Sequence, residues 1–306
     1  MKTGEPPTPL VSAGPLIDVH AHFYFAGCGR ANWRQLNDAR FRAGAQIGVT
    51  CHIGSILGTW GAESPVYFQS QADTETGNDA MLAIQAAAPH LVRSSAAVNP
   101  NEGAEALAEL ERCVSLGAVG VKLAAARRAS DPLLDPIAAF AAERGLPILQ
   151  HIWQHRRQHM PGQDISDGAD LAVLAERHPR ASFILAHIGG GGDYAHTFAA
   201  VRAVPNIYLD LSGSGVDRGM LDDALAAVGP GRLLWGADLT METALAKLWA
   251  LEVIGLDTEQ LADVRWRNAT RIFPAGTFDG MGGVEHSTDA LPASMLVRHE
   301  QSGVGS

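Results

Sequence analysis

Basic charge is scarce in this chain: 23 lysines and arginines stand against 33 aspartates and glutamates in 306 residues, a formal net charge of −10. Without a basic patch, nucleic acid and anionic membrane surfaces are set aside as partners. Cysteine is scarcer still, and Cys28, Cys51 and Cys113 show no close pairing that would suggest a disulfide framework. No apolar run is long enough to span a bilayer. Pro6, Pro7, Pro9 and Pro15 break the stretch in which a secretory segment would lie. These absences lead us to expect a soluble, cytoplasmic protein acting on a small molecule, with assembly into a homo-oligomer left open.

What the chain does have is 46% hydrophobic residues, enough to bury one large core. Single α/β barrels reach this length, with about 250 residues in the barrel itself. From residue 16 onward, apolar runs of four to six residues alternate with longer Ala-, Leu- and Glu-rich segments of helical period. That rhythm predicts parallel strands near 16–20, 49–53, 91–98, 119–123, 147–151, 182–187, 206–211 and 232–237. Helices are expected at 78–88, 103–116, 134–144, 168–177 and 218–228, with closing helices at 241–254 and 258–272. The stretches 24–48 and 54–77 read as irregular loops. The fold class is therefore α/β, a (β/α)8 TIM barrel over residues 16–273, with a Pro-rich segment before it (1–15) and a flexible tail after it (274–306).

The first strand ends in Ile17-Asp18-Val19-His20-Ala21-His22. Residues two apart on a strand share a face, so His20 and His22 form half of a metal site. Other apolar runs end in ligand-type residues: His151, His187 and Asp238. The intervals from His22 to His151, to His187 and to Asp238 correspond to about four, one and two barrel units of about 31 residues. This puts the candidates on strands 1, 5, 6 and 8, at the C-terminal ends where barrel enzymes build their sites. Gly236 and Ala237 leave room beside Asp238, and strand parity turns Trp235 away from it.

These residues, with Gly120-Val121-Lys122-Leu123, Ala186-His187-Ile188-Gly189-Gly190, Trp235-Gly236-Ala237-Asp238 and Asn268-Ala269-Thr270-Arg271-Ile272-Phe273, resemble the amidohydrolase superfamily. The likeness is to its amidohydrolase-related branch, which includes the aminocarboxymuconate semialdehyde decarboxylase-like enzymes. The resemblance implies a metal-dependent barrel in which His20, His22, His151 and Asp238 hold one divalent ion, Zn2+ or alternatively Mn2+. His187 would be the acid/base residue, with Asp238 sharing the catalytic work. Lys122 is a candidate substrate contact, a structural lysine, or the bridging lysine of two-metal relatives. Trp153, Arg156 and Arg157 are further substrate-binding candidates, since guanidinium matches a carboxylate in two parallel hydrogen bonds. His52, His90 and His178 read as structural, with a supporting place behind the ligands open to His52. The sequence departs from many relatives after Lys122-Leu123, where Ala124-Ala125-Ala126-Arg127-Arg128 replaces a histidine and proline. The expected activity is hydrolysis of a carboxylate-bearing lactone, amide or ester. The alternatives are non-oxidative decarboxylation of an aromatic or unsaturated acid, and a non-catalytic barrel that keeps its metal.

Overall fold

Short apolar runs buried on both faces become parallel strands only when helices cover one side and side chains fill the other. The computed structural model, which describes residues 14–57, 71–154, 163–213, 218–238 and 244–281, has this arrangement. Among the described residues eight parallel strands follow one another in chain order. They are β1 (Ile17–His22), β2 (Cys51–Ser55), β3 (Val92–Ala97), β4 (Gly120–Leu123), β5 (Ile148–Gln150), β6 (Phe183–Leu185), β7 (Ile207–Asp210) and β8 (Leu233–Leu234). The segment after β8 returns to β1 through Val19 N to Trp235 O (3.1 Å) and Asp238 N to His20 O (2.7 Å), which closes the ring.

Outside the ring lie α1 (Trp33–Ile47), α2 (Gln71–Ala87), α3 (Ala104–Ser115), α4 (Asp135–Arg144), α5 (Gly168–Arg177), α6 (Tyr194–Val201), α7 (Arg218–Val228) and α8 (Ala244–Val253). After them α9 (Thr258–Ala262), a π-turn and α10 (Asn268–Ile272) complete the described helices. No described helix is long and apolar enough to cross a membrane. One apolar layer, including Val121, Leu185, Leu209 and Trp235, packs between strands and helices. A second fills the barrel with Ile17, Val19, Cys51, Ile53, Leu149, Ile184 and Leu234, and Ile272 and Phe273 join it. Burying each such aliphatic side chain contributes about 1.5–3 kcal/mol. Trp235 lies in the outer layer, as strand parity predicts.

Several expectations need correction. The stretch 24–48 is not an irregular loop throughout, because α1 occupies most of it; the buried residues of α1 include Asn37, Asp38 and Arg40 beside Phe41 and Ile47. A helix whose inward face is polar shows no apolar period in sequence. Likewise α2 begins at residue 71, inside the stretch read as loop, and α6 is a short helix that the periodicity missed. Beyond the barrel, Phe278 and Met281 pack against the inner cluster, so the region after 273 starts as an anchored segment. Residues 1–13 and 282–306 lie outside the described residues.

Candidate metal centre

Strand β1 carries one more residue than its partner: Asp18 pairs with His52, but Ala21 pairs with Gly54. A bulge of this kind re-aims the side chains beyond it. Asp18 therefore lies with His52 against Arg40 of α1, while His20 and His22 turn into the barrel mouth toward Lys122, Asp210 and Asp238.

The protonation of both imidazoles is fixed from behind. His20 Nδ1 lies 2.8 Å from Asp210 Oδ2 and so donates to it. His22 Nδ1 lies 3.0 Å from the carbonyl oxygen of Ser55, which can only accept. Both Nε2 atoms are therefore unprotonated, and they sit 3.1 Å apart. Nitrogens about 2.0–2.1 Å from a tetrahedral ion would be separated by about 3.3 Å, so the spacing suits a shared cation. Asp238 Oδ1 lies 3.6 Å from each Nε2. One donor atom from each of His20, His22 and Asp238 falls within 4.8 Å of the others. Converging lone pairs beside a carboxylate fit a divalent cation.

His151 and His187 form the adjoining wall. His187 Nε2 is 3.2 Å from His151 Nδ1, and His187 Nδ1 is 3.5 Å from Asp238 Oδ2. The carboxylate of Asp238 thus faces the His20–His22 pair with one oxygen and His187 with the other. Lys122 Nζ, fully buried, reaches His20 Nε2 at 2.9 Å and occupies the same lone pair that a cation would use. Trp153 stands edge-on to His151, with ring centroids 5.7 Å apart.

Two of these residues have left-handed backbones: His187 at φ 64° and Asp238 at φ 62°. For residues other than glycine this costs on the order of 1–3 kcal/mol and persists only where surroundings hold it. His187 N donates to Asp210 Oδ1 (3.1 Å) and Ser212 Oγ (3.2 Å). Asp238 donates to His20 O, and its carbonyl accepts from Arg40 Nη1 at 2.5 Å. Gly236, beside Asp238, also lies tight against the ligand strand. A Cβ there would lie 3.1 Å from the Cβ of His20.

Burial sets the charges. It pushes His22 down to about 3, with Lys122 adding to the effect. Burial, again with Lys122 next, holds His20 well below the usual histidine range, and His151 is lowered by burial and then by His187. His187 is lowered by burial against the pull of Asp238 and Asp210. Burial also pushes Lys122 down to about 8, opposed by Asp238 and Asp210. For Asp238, burial opposes ionisation, but His187, His20, His22 and Lys122 together outweigh it and hold the carboxyl well below its ordinary range. The centre at neutral pH has neutral imidazoles, an ionised Asp238 and a cationic Lys122.

The structure thus gathers His20, His22, Lys122, His151, Trp153, His187 and Asp238 at one mouth. Arg156 and Arg157 lie outside the described residues. His178 pairs with Asp135 at 2.8 Å, away from the mouth, as a structural histidine would, and His52 supports Asp18 at 3.0 Å. Sequence reasoning missed Asp210, Ser212, Asp18, Arg40 and Lys247, whose Nζ donates to the Gly213 carbonyl. Asp210 had a usable signal: it ends an apolar strand just as His151 and Asp238 follow theirs. Arg40 had none.

A parallel eight-stranded barrel with a histidine–aspartate cluster at its C-terminal mouth defines a class of barrel enzymes. Within that class the chain belongs to the amidohydrolase family, whose model, described as Amidohydrolase, matches residues 17–275. No curated protein matches the chain. Among solved structures, 2,6-dihydroxybenzoate decarboxylase from Rhizobium superposes with a TM-score of 0.65 at 18% identity, covering 84% of this chain and 98% of that one. A dihydroxybenzoic acid decarboxylase from Polaromonas sp. JS666, with bound manganese and the inhibitor 2-nitroresorcinol, gives 0.64 at 19% identity and coverages of 84% and 96%. An amidohydrolase from Burkholderia multivorans with bound HEPES gives 0.62 at 17%, covering 85% and 100%. At these identities the likeness is one of fold.

Proposed function

We propose that this chain is a metal-dependent hydrolase of small carboxylate-bearing lactones, amides or esters, with His20, His22, His151 and Asp238 as ligands of one divalent ion, Zn2+ or Mn2+. The observation that carries this reading is the pair of proton-free Nε2 atoms 3.1 Å apart, flanked by a carboxylate that also faces His187. A divalent cation bound there would supply Lewis acidity for the substrate carbonyl and lower the pKa of water toward neutrality. The proton released on attack goes to Asp238 Oδ2 and on to His187 Nδ1, which burial keeps neutral and able to accept it. His187 then returns the proton to the leaving group.

Charge selects the substrate. Buried Lys122 and Lys247, together with a divalent cation, exceed the carboxylates of Asp210 and Asp238 by two positive charges. An excess of that sign in a buried mouth favours an anion, and Trp153 offers a flat apolar wall beside it.

Decarboxylation is the second reading, favoured by the Rhizobium and Polaromonas neighbours, which are decarboxylases of dihydroxybenzoic acids. The same cationic mouth would hold the acid, and His187 would deliver the proton that replaces CO2. Turnover of lactones, esters, amides and aromatic acids in 18O-labelled water by the Zn2+- or Mn2+-loaded protein separates the two. Label in the product supports hydrolysis, whereas CO2 release without label assigns decarboxylation. Full metal loading with no turnover of any class would favour the non-catalytic barrel.

A further inference from the structure

The barrel mouth is also gripped from outside, by a guanidinium that takes no part in the chemistry above. We propose that Arg40, midway along α1, is a positioning residue for the cation site: it clamps Asp238 in its left-handed conformation and, through Asp18, steadies the part of β1 that carries His20. This rests on the reading of His20, His22 and Asp238 as cation ligands, although the clamp has a backbone signature of its own.

Arg40 is buried, and its fork spans two elements: Nη1 donates to the Asp238 carbonyl at 2.5 Å and Nη2 to Asp18 Oδ2 at 2.7 Å. Asp18 also accepts from His52 Nδ1 (3.0 Å), Ala237 N (2.9 Å) and His20 N (3.3 Å). One carboxylate thereby joins α1, β1, β2 and the segment after β8. Two of its donors are backbone amides at the ligands, that of His20 itself and that of the residue preceding Asp238. Asp238 N is held in turn by the His20 carbonyl at 2.7 Å. Its main chain is thus held by a sheet-type bond on the N–H side and by the arginine on the C=O side. At φ 62° a non-glycine residue returns to commoner backbone regions unless its peptide groups are held. The guanidinium sits over the Phe23 ring, 5.6 Å from its centroid, which fixes the plane of the fork. A lysine could reach either oxygen but has no fork to bridge both.

Arg40→Met and Arg40→Lys are compared with Arg112→Met, which breaks an arginine–glutamate pair on α3 away from the mouth. Mn2+ affinity is measured by chelator competition, and the metal-free variants are crystallised. Arg40→Met is expected to bind Mn2+ about 10–100-fold more weakly, the usual cost of losing a group that orients a ligand. Arg40→Lys should fall between, and Arg112→Met should match the wild type whatever its melting temperature. In metal-free Arg40→Met, Asp238 should leave the left-handed region. A folded Arg40→Met with wild-type Mn2+ affinity, or with Asp238 still left-handed, overturns the proposal. If Arg40→Met does not fold, Arg40→Lys answers both questions. A wild-type protein that binds neither Mn2+ nor Zn2+ defeats the metal reading alone, and the Asp238 backbone in the variants then decides the clamp.

Discussion

Replacing Asp210 by asparagine changes one atom and, by the geometry here, misplaces one proton. Asp210 Oδ1 accepts from His187 N (3.1 Å), from Ser212 N (2.8 Å) and from the Ser212 hydroxyl, while Oδ2 accepts from His20 Nδ1 (2.8 Å). The amide oxygen of an asparagine must take the position where three donors converge, which turns its NH2 toward His20. His20 Nδ1 then has to accept, so its proton moves to Nε2, the nitrogen that faces the centre. That nitrogen can no longer hold a cation. Loss of a supporting group behind a ligand costs about 10–100-fold in affinity, or about 1.4–2.8 kcal/mol. Because Asp210→Asn also inverts the tautomer, the expected loss is about 100-fold, with little change in fold because the side chain is isosteric. Chelator competition with Zn2+ or Mn2+ measures the affinity, and long-range 1H–15N spectra report which nitrogen of His20 is protonated. Unchanged affinity with the proton still on Nδ1 would refute the argument.

Other outcomes follow from the same geometry. In the metal-free protein, burial lowers His20, His22 and His151, whereas in the unfolded chain they titrate near 6.5. The unfolded state therefore binds more protons below that pH, and stability falls as pH drops from about 6.5 until His22 titrates in the native state at about 3. The slope approaches about 1.4 kcal/mol per pH unit for each histidine; a urea midpoint equal at pH 7 and pH 5.5 would contradict this. His187→Asn should retain metal but lose about 10²–10⁴-fold in kcat on whichever substrate the panel identifies, and metal analysis beside kinetics checks both halves. Lys122→Met removes a donor that competes for His20 Nε2, so metal affinity should hold or rise. KM for an acidic substrate should rise about 10–100-fold, the worth of a hydrogen bond to a charged group, and an unchanged KM would remove Lys122 from substrate recognition.

The strand ends and the helix-to-strand rhythm were legible because both depend on local periods. Each of the predicted strands overlaps an observed one, and the helices at 168–177 and 218–228 have the observed limits. Trp235 followed from alternation alone. The site was partly legible for the same reason, since His20, His22, His151, His187 and Asp238 all stand at or just beyond strand ends. The helix α1 was illegible because its inward face carries polar residues, among them Asn37, which pairs with the Tyr24 main chain, and Arg40, which pairs with Asp18 and Asp238. That Gly236 also lies against His20 was illegible, because the two are more than two hundred residues apart.

The sequence by itself determined a parallel barrel and brought five histidines and aspartates, His20, His22, His151, His187 and Asp238, to its C-terminal mouth, because a strand's period fixes which residues share a face and which end they occupy. The tertiary structure decided the rest. Which imidazole nitrogen carries the proton, where β1 bulges, and how Asp238 keeps a strained backbone are set by Asp210, Ser55, Asp18 and Arg40. Those partners meet only after folding, and a hydrogen bond between residues distant in sequence leaves no periodic trace in the chain.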